Sequence, residues 1–216
     1  RGISINTSLA TFEWKKNKIN LIDTPGDFDF LGEQMLGMDV GDAVLIVMSA
    51  KDGLAVGVEK AVRLARDEKM PVSFFINRMD EPNADFEATL EALREEYGHL
   101  VIPMTLPIMD GETMTGLVDV VSLKAYSFSG SKGEMKAAEM SADLQDLAAS
   151  YHEQLVEQIA ESDEELMEKY FEGEAFTPAE EERGLRQAIS QASLYPVFVG
   201  SANANWGVSH VLDLMI

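Results

Sequence analysis

The stretch INLIDTPGDFDF, Ile19 to Phe30, limits the fold of this chain more than any other. Its first residues are β-prone and apolar on both faces, as a buried strand requires, and the run ends abruptly on Asp23 and a Thr-Pro-Gly turn. Two later stretches repeat the design: PVSFFINRMD delivers Asp80 to the end of an apolar run, and LYPVFVGSANANWGV ends another in a polar, Gly-bearing loop. AVLIVMSA is a further buried strand. Helical segments lie between them. FLGEQMLGMD forms a short helix, GVEKAVRLARDEKM carries Val58, Ala61, Val62 and Ala65 on one face, and ADFEATLEALREEYG closes at Gly98. Strands alternating with helices predict an α/β fold with a mostly parallel sheet, in which ligands sit where strands stop and loops converge. At such an edge Asp23 is placed to hold a metal, and Gly26 lets a backbone N–H approach a phosphate unobstructed. Taken alone, that loop reads equally well as an ordinary Asp-Pro-Gly turn.

Upstream, ISINTSLATFEW alternates as a strand ending at the turn KKNK. The texture changes after Pro103. TMTGLVDVVSLKAYSFSG and GEMKAAEM read as strands of a small antiparallel sheet, with turns at Gly116 and at GSKG. Three helices follow: one near 142 to 161 with Leu144, Leu147, Tyr151, Leu155 and Ile159 at helical spacing, then DEELMEKYF, then one opened by Thr177, Pro178 and Glu180. The acidic runs ESDEELMEK and AEEER read as solvated helix faces.

Composition excludes several classes. The chain has no cysteine, so disulfides and thiolate metal sites are ruled out and a reducing, cytoplasmic setting is expected. No apolar run is long enough for a membrane helix, and no signal peptide is recognisable. A net charge of −21 opposes direct nucleic-acid binding by this segment, although it leaves room for a nucleotide whose phosphates meet backbone N–H groups and a metal.

Together, Asp23-Thr24-Pro25-Gly26, Asn77-Arg78-Met79-Asp80 and Gly200-Ser201-Ala202 resemble, in order and spacing, three signature loops of the translational GTPases, and RGISI resembles the end of that family's first switch. TLPI, GLVDVVSLKAY and DEELMEKYFEGE are similar to the subdomain inserted in the GTPase domain of bacterial elongation factor G, so the resemblance covers nearly the whole chain. It implies a P-loop-GTPase-like core at 1–103 and 195–216, an inserted α+β subdomain at 104–194, GTP/GDP and Mg²⁺ as ligands, and ribosome-linked hydrolysis of GTP. Ribosomal protection and release-factor-type GTPases fit less well, because the insert is extended. Asp80 would accept N1–H and N2–H₂ of guanine, a pairing adenine cannot reciprocate. Asn77 would brace the loop, and Arg78, where the family usually has lysine, would lie along the base. Ser201 and Ala202 would offer backbone N–H groups to the guanine O6. Ser4, where the family has threonine, and Asp23 would serve the magnesium ion, Asp23 through water. The insert would face the ribosomal stalk protein and leave nucleotide binding to the core.

Two departures matter. After DTPG the family has a histidine thought to position the attacking water, and this chain has Asp27. A carboxylate there adds charge where the transition state needs it neutralised. This opens a second reading, a ribosome-associated module that reads guanine nucleotides with little or no hydrolysis. In the plainer reading Asp27 simply faces solvent. His99, His152 and His210 are ordinary surface or half-buried residues by position. The second departure is that no G-x-x-x-x-G-K-[ST] occurs. The strand preceding that loop would sit between INLI and VLIV, so the expectation is that the chain is part of a longer polypeptide.

Overall fold

The computed structural model describes residues 4–130 and 133–216. The first half contains β1 (Ser8–Trp14), β2 (Asn17–Asp23), a 3-10 turn at Phe28–Phe30, α1 (Leu31–Met38), β3 (Val44–Ser49), α2 (Val56–Asp67), β4 (Val72–Asn77), α3 (Phe86–Tyr97) and β5 (Val101–Pro103). There follow β6 (Thr105–Asp110), β7 (Thr113–Asp119), β8 (Lys124–Ser129) and β9 (Glu134–Ala138). The chain continues with α4 (Ala142–Glu161), α5 (Glu164–Glu172), α6 (Pro178–Ser190), β10 (Tyr195–Val199) and α7 (Val208–Leu214).

The main sheet runs β3–β4–β10–β5, all parallel. Strand alternation sends successive side chains to opposite faces. Phe74, Ile76, Val197 and Val199 therefore join Val58 and Val62 of α2 and Leu90 and Leu93 of α3 in one apolar cluster. Phe75 and Phe198 face the other way, onto Leu155 and Ile159 of α4 and Ala188 of α6. β10 is buried along its whole length, which fixes where its terminal loop emerges.

A second, antiparallel sheet runs β6–β7–β8–β9. Two bonds anchor it to the first: Met104 N–H donates to Val197 O at 2.7 Å, and Val199 N–H donates to the buried Thr105 Oγ1 at 3.0 Å. The Thr105 hydroxyl thus satisfies a backbone donor that would otherwise be buried unpaired. The capping box at Thr177 and Glu180 is present, as read from the sequence.

Several expectations need correction. β2 is not a buried strand of the main sheet. It pairs only with β1, in a separate two-stranded ribbon, and Leu21 is 41% exposed. Its apolar pattern describes a strand that can be buried on both faces, but among the described residues it is covered only in part, with Ile19 and Ile22 half-buried and Gly37 of α1 close to Ile22. The preceding strand begins at Ser8, short of the ISINTSLATFEW expectation. Residues 1–3 of RGISI lie outside the described residues, as do 131 and 132 of the turn GSKG. Gly116 is no turn. It lies within β7, opposite Ile108 and Ser127, and a Cβ there would stand 2.1 Å from Tyr126 O. The glycine marks close backbone approach beside the bulge at Ile108/Met109. β5 and β6 were not foreseen, since Pro103 and Pro107 interrupt their patterns. The acidic runs are more than solvated faces: Lys169 pairs with Glu180, and Arg183 lies 3.0 Å from Glu165 and 3.8 Å from Asp163, stitching α5 to α6.

Candidate functional site

β4 and β10 are adjacent parallel strands, with Val199 in register with Ile76, so the loops that follow them leave the sheet side by side. Backbone bonds lock them together: Gly200 N–H donates to Ile76 O at 3.0 Å and Met79 N–H to Gly200 O at 3.1 Å. Between these bonds Arg78 takes a φ of 69°, a left-handed conformation that a non-glycine residue adopts only when its surroundings impose it.

Side chains complete the junction. Asn77 Oδ1 accepts the Ala202 N–H at 2.8 Å, the bracing role expected of it. Asp80 Oδ2 accepts from Asn203 Nδ2 at 3.1 Å. A hydrogen bond from the Ser201 side chain is the main influence holding the Asp80 carboxyl below its ordinary value of 3.8. Ser201 is fully buried, and its Oγ also accepts the Ala204 N–H at 3.0 Å. The result is an exposed carboxylate, ionised at neutral pH, presented by two interlocked loops. Arg78 stays exposed, 3.8 Å from Glu81.

The structure alters one expected contact. Ser201 N–H donates to Trp206 O at 3.1 Å and Ala202 N–H to Asn77, so neither is free to meet a ligand oxygen. The Asn203 N–H has no acceptor among the described residues, and Asn203 is exposed. Sequence reasoning stopped at Ala202 and missed Asn203, although "ANAN" placed an amide directly after the signature.

Asp23, Gly26 and Asp27 lie elsewhere, on the ribbon and its following loop. Asp23 ends β2, exposed and in register with Ser8. Ser4 is exposed four residues before that pair, and no contact brings its hydroxyl to Asp23. A Cβ on Gly26 would meet nothing within 4 Å, so internal packing does not demand glycine there, although its carbonyl oxygen lies 3.6 Å from where a Cβ on Gly57 of α2 would stand. The loop is held from behind by the buried Gln34, whose Nε2 donates to Pro25 O at 2.9 Å. Asp27 Oδ1 accepts the Asp29 N–H at 3.1 Å, capping the 3-10 turn, and the residue is exposed. The ribbon's far end is tied to α7, where Asp213 Oδ1 accepts from Trp14 Nε1 at 2.7 Å and lies 2.8 Å from Lys15 Nζ.

The histidines have other partners. His152 Nδ1 is 3.0 Å from Val120 O, and His99 is exposed. His210 lies edge-on to Tyr126 with Nε2 3.9 Å from Asp119, and burial lowers its pKa. Among the described residues there is no cluster of three or more His, Cys, Asp or Glu side chains suited to a metal, and no helix long and apolar enough to cross a membrane.

Comparison with known proteins agrees with this fold. The family described as the elongation factor Tu GTP-binding domain matches residues 1–216. A crystal structure of a protein from Thermus thermophilus superposes with a TM-score of 0.91 at 32% sequence identity, covering 99% of this chain. The chain spans 32% of that protein's length.

Proposed function

Because the chain belongs to the family of the elongation factor Tu GTP-binding domain, we propose that it supplies the guanine-reading part of an elongation-factor-G-like translational GTPase. The junction of Asn77, Asp80, Ser201 and Asn203 carries this reading. Asp80 presents two acceptor oxygens to guanine N1–H and N2–H₂; an adenine offers a bare N1 at that position, so the carboxylate selects the base. Ser201 holds the carboxylate in its charged form, and Asn77 holds Ala202 in place behind it. The free Asn203 N–H is the donor best placed for the base oxygen, and Arg78 lies along the base face.

Magnesium fits the donors on the ribbon side. One hydroxyl, Ser4, and one carboxylate, Asp23, are the sort of sparse protein set that Mg²⁺ takes together with phosphate oxygens and water. Bound there, the ion would neutralise developing phosphate charge. Gly26, with open space where a Cβ would stand, is suited to close approach of a phosphate. We assign residues 1–103 and 195–216 to the core and 104–194 to the insert, whose exposed acidic helices suit a docking role on the stalk protein of a cytoplasmic ribosome.

A second reading rests on Asp27. Its carboxylate is occupied as a cap, and its charge opposes hydrolysis, which favours a module that reads nucleotide and turns over slowly. The experiment for the main reading is Asp80→Asn in the full-length protein. Guanine affinity falls and xanthine nucleotide, which has an oxygen in place of the 2-amino group, gains. Unchanged guanine affinity would refute the assignment.

A further inference from the structure

We propose that the β8–β9 hairpin is a brace for the base-reading loop, with Phe128 and Gly133 as its positioning residues; the proposal rests on the guanine reading above. Residues 201 to 206 form a closed turn, since Ser201 N–H donates to Trp206 O at 3.1 Å and Trp206 N–H returns to Ser201 O at 2.8 Å. Asn203, inside that closure, donates its Nδ2 to Asp80 Oδ2 at 3.1 Å, and Ser201, at one end of it, accepts the Ala204 N–H at 3.0 Å. Within the turn Ala202, Asn203 and Asn205 are exposed, and its polar bonds run to Asn77 and Asp80 on one side and within the turn itself, so packing against its other side comes from outside the loop.

The hairpin supports it twice. The Phe128 ring lies flat on Trp206, with centroids 5.0 Å apart and planes 3° from parallel. Just before β9, Gly133 adopts φ +64°, and a Cβ there would fall 2.4 Å from Asn205 O and 2.9 Å from Ala204 O. Only a glycine lets the hairpin backbone come this near the loop backbone. Phe128 thus fixes the end of the loop bonded to Ser201, while Gly133 fixes the segment next to Asn203. Through Ser201 and Asn203 both restraints reach Asp80. The expected separation between insert and nucleotide site is therefore incomplete: this hairpin belongs to the insert by sequence and to the base site by contact.

A loosened loop costs base discrimination first and phosphate contacts hardly at all. In the full-length protein, Phe128→Ala is expected to narrow the preference for GDP over IDP, which lacks the 2-amino group, by about three- to tenfold, the range for losing one aromatic pair. The GDP-to-GTP ratio stays unchanged, and Phe128→Tyr restores the preference. Gly133→Ala pushes the same loop from its other side and narrows the preference likewise; it carries the test if Phe128→Ala does not fold. A merely structural role weakens all four nucleotide affinities of GDP, GTP, IDP and ITP equally, and that outcome overturns the brace. Asp80→Asn run alongside separates the two ideas. If it abolishes the preference while Phe128→Ala and Gly133→Ala leave it intact, the brace is wrong and the guanine reading stands. If Asp80→Asn leaves the preference intact, the guanine reading falls and takes the brace with it.

Discussion

The two ends of the candidate site are built in opposite ways. The loops after β4 and β10 grow from strands at the centre of the core and are cross-linked by backbone, amide and hydroxyl bonds. The loop after β2 grows from an exposed ribbon, and the two together are fastened at a few points: Thr7, just before β1, to Glu33 at 2.9 Å, Pro25 of the loop to Gln34, and the ribbon turn to Asp213. Reading a base requires fixed acceptors at fixed positions, and rigidity there loses nothing. A segment that must answer to a phosphate's presence needs interactions weak enough to rearrange. On the proposed reading, the difference in fastening would be a division of labour, in which the base end would set affinity and choice and the ribbon end would govern rate.

Breaking the base end hardest means removing the charge of Asp80. Two charge-assisted bonds at about 2 kcal/mol each predict that Asp80→Asn weakens GDP binding by roughly 10³-fold, measured by titration calorimetry on the full-length protein. On the other end, Asp27→His is expected to raise ribosome-stimulated single-turnover hydrolysis by about 10²-fold, near 2.7 kcal/mol, if charge at this position limits the rate. GDP affinity should barely move. A brisk native rate that histidine does not improve would show that Asp27 is only a cap. An intermediate effect is expected for Asn77→Ala, which deletes one loop-to-loop bond and should weaken GDP about tenfold through faster dissociation, measured by stopped flow.

The smallest effects sharpen the contrast. Asp213→Ala releases both Trp14 and Lys15, and exposed pairs of this kind are worth at most about 1 kcal/mol. Amide exchange across β1 and β2 should quicken while GDP affinity stays constant. The last is a titration. Asp80 has its folded pKa lowered, so the bond from Ser201 contributes fully above 3.8 and is lost as pH falls through the lower folded value. Ser201→Ala should move the Asp80 midpoint up toward 3.8 in a carboxyl carbon NMR titration.

How much of this was legible follows the same division. Asp80 was readable because it lies just beyond the end of an apolar strand, and a sheet leaves such a residue only one place to go; Asn77 and Ser201 were named through the resemblance of their loops to the family's signatures, taken in order and spacing. β2 misled because an apolar pattern reports what a strand can bury, whereas burial depends on a neighbour. Gly116 misled because turns and close backbone contacts both call for glycine, and one sequence does not distinguish them. The Phe128 and Trp206 stack was beyond reach: its partners lie far apart in the chain, and nothing local in either strand or loop implies the other. The occupied N–H groups of Ser201 and Ala202 were equally hidden, since donors are allotted only when loops meet.

The chain has two tryptophans, and the fold puts one in each half of this contrast. Trp206 stacks on Phe128 beside the base loop, and Trp14 gives its indole N–H to a carboxylate at the ribbon's end. Their emission should differ accordingly, a ring-stacked indole against a hydrogen-bonded one. Trp14→Phe and Trp206→Phe therefore each leave a single tryptophan in this chain, so that its light, excited selectively beyond the tyrosine band, can time the two ends separately during one encounter with nucleotide.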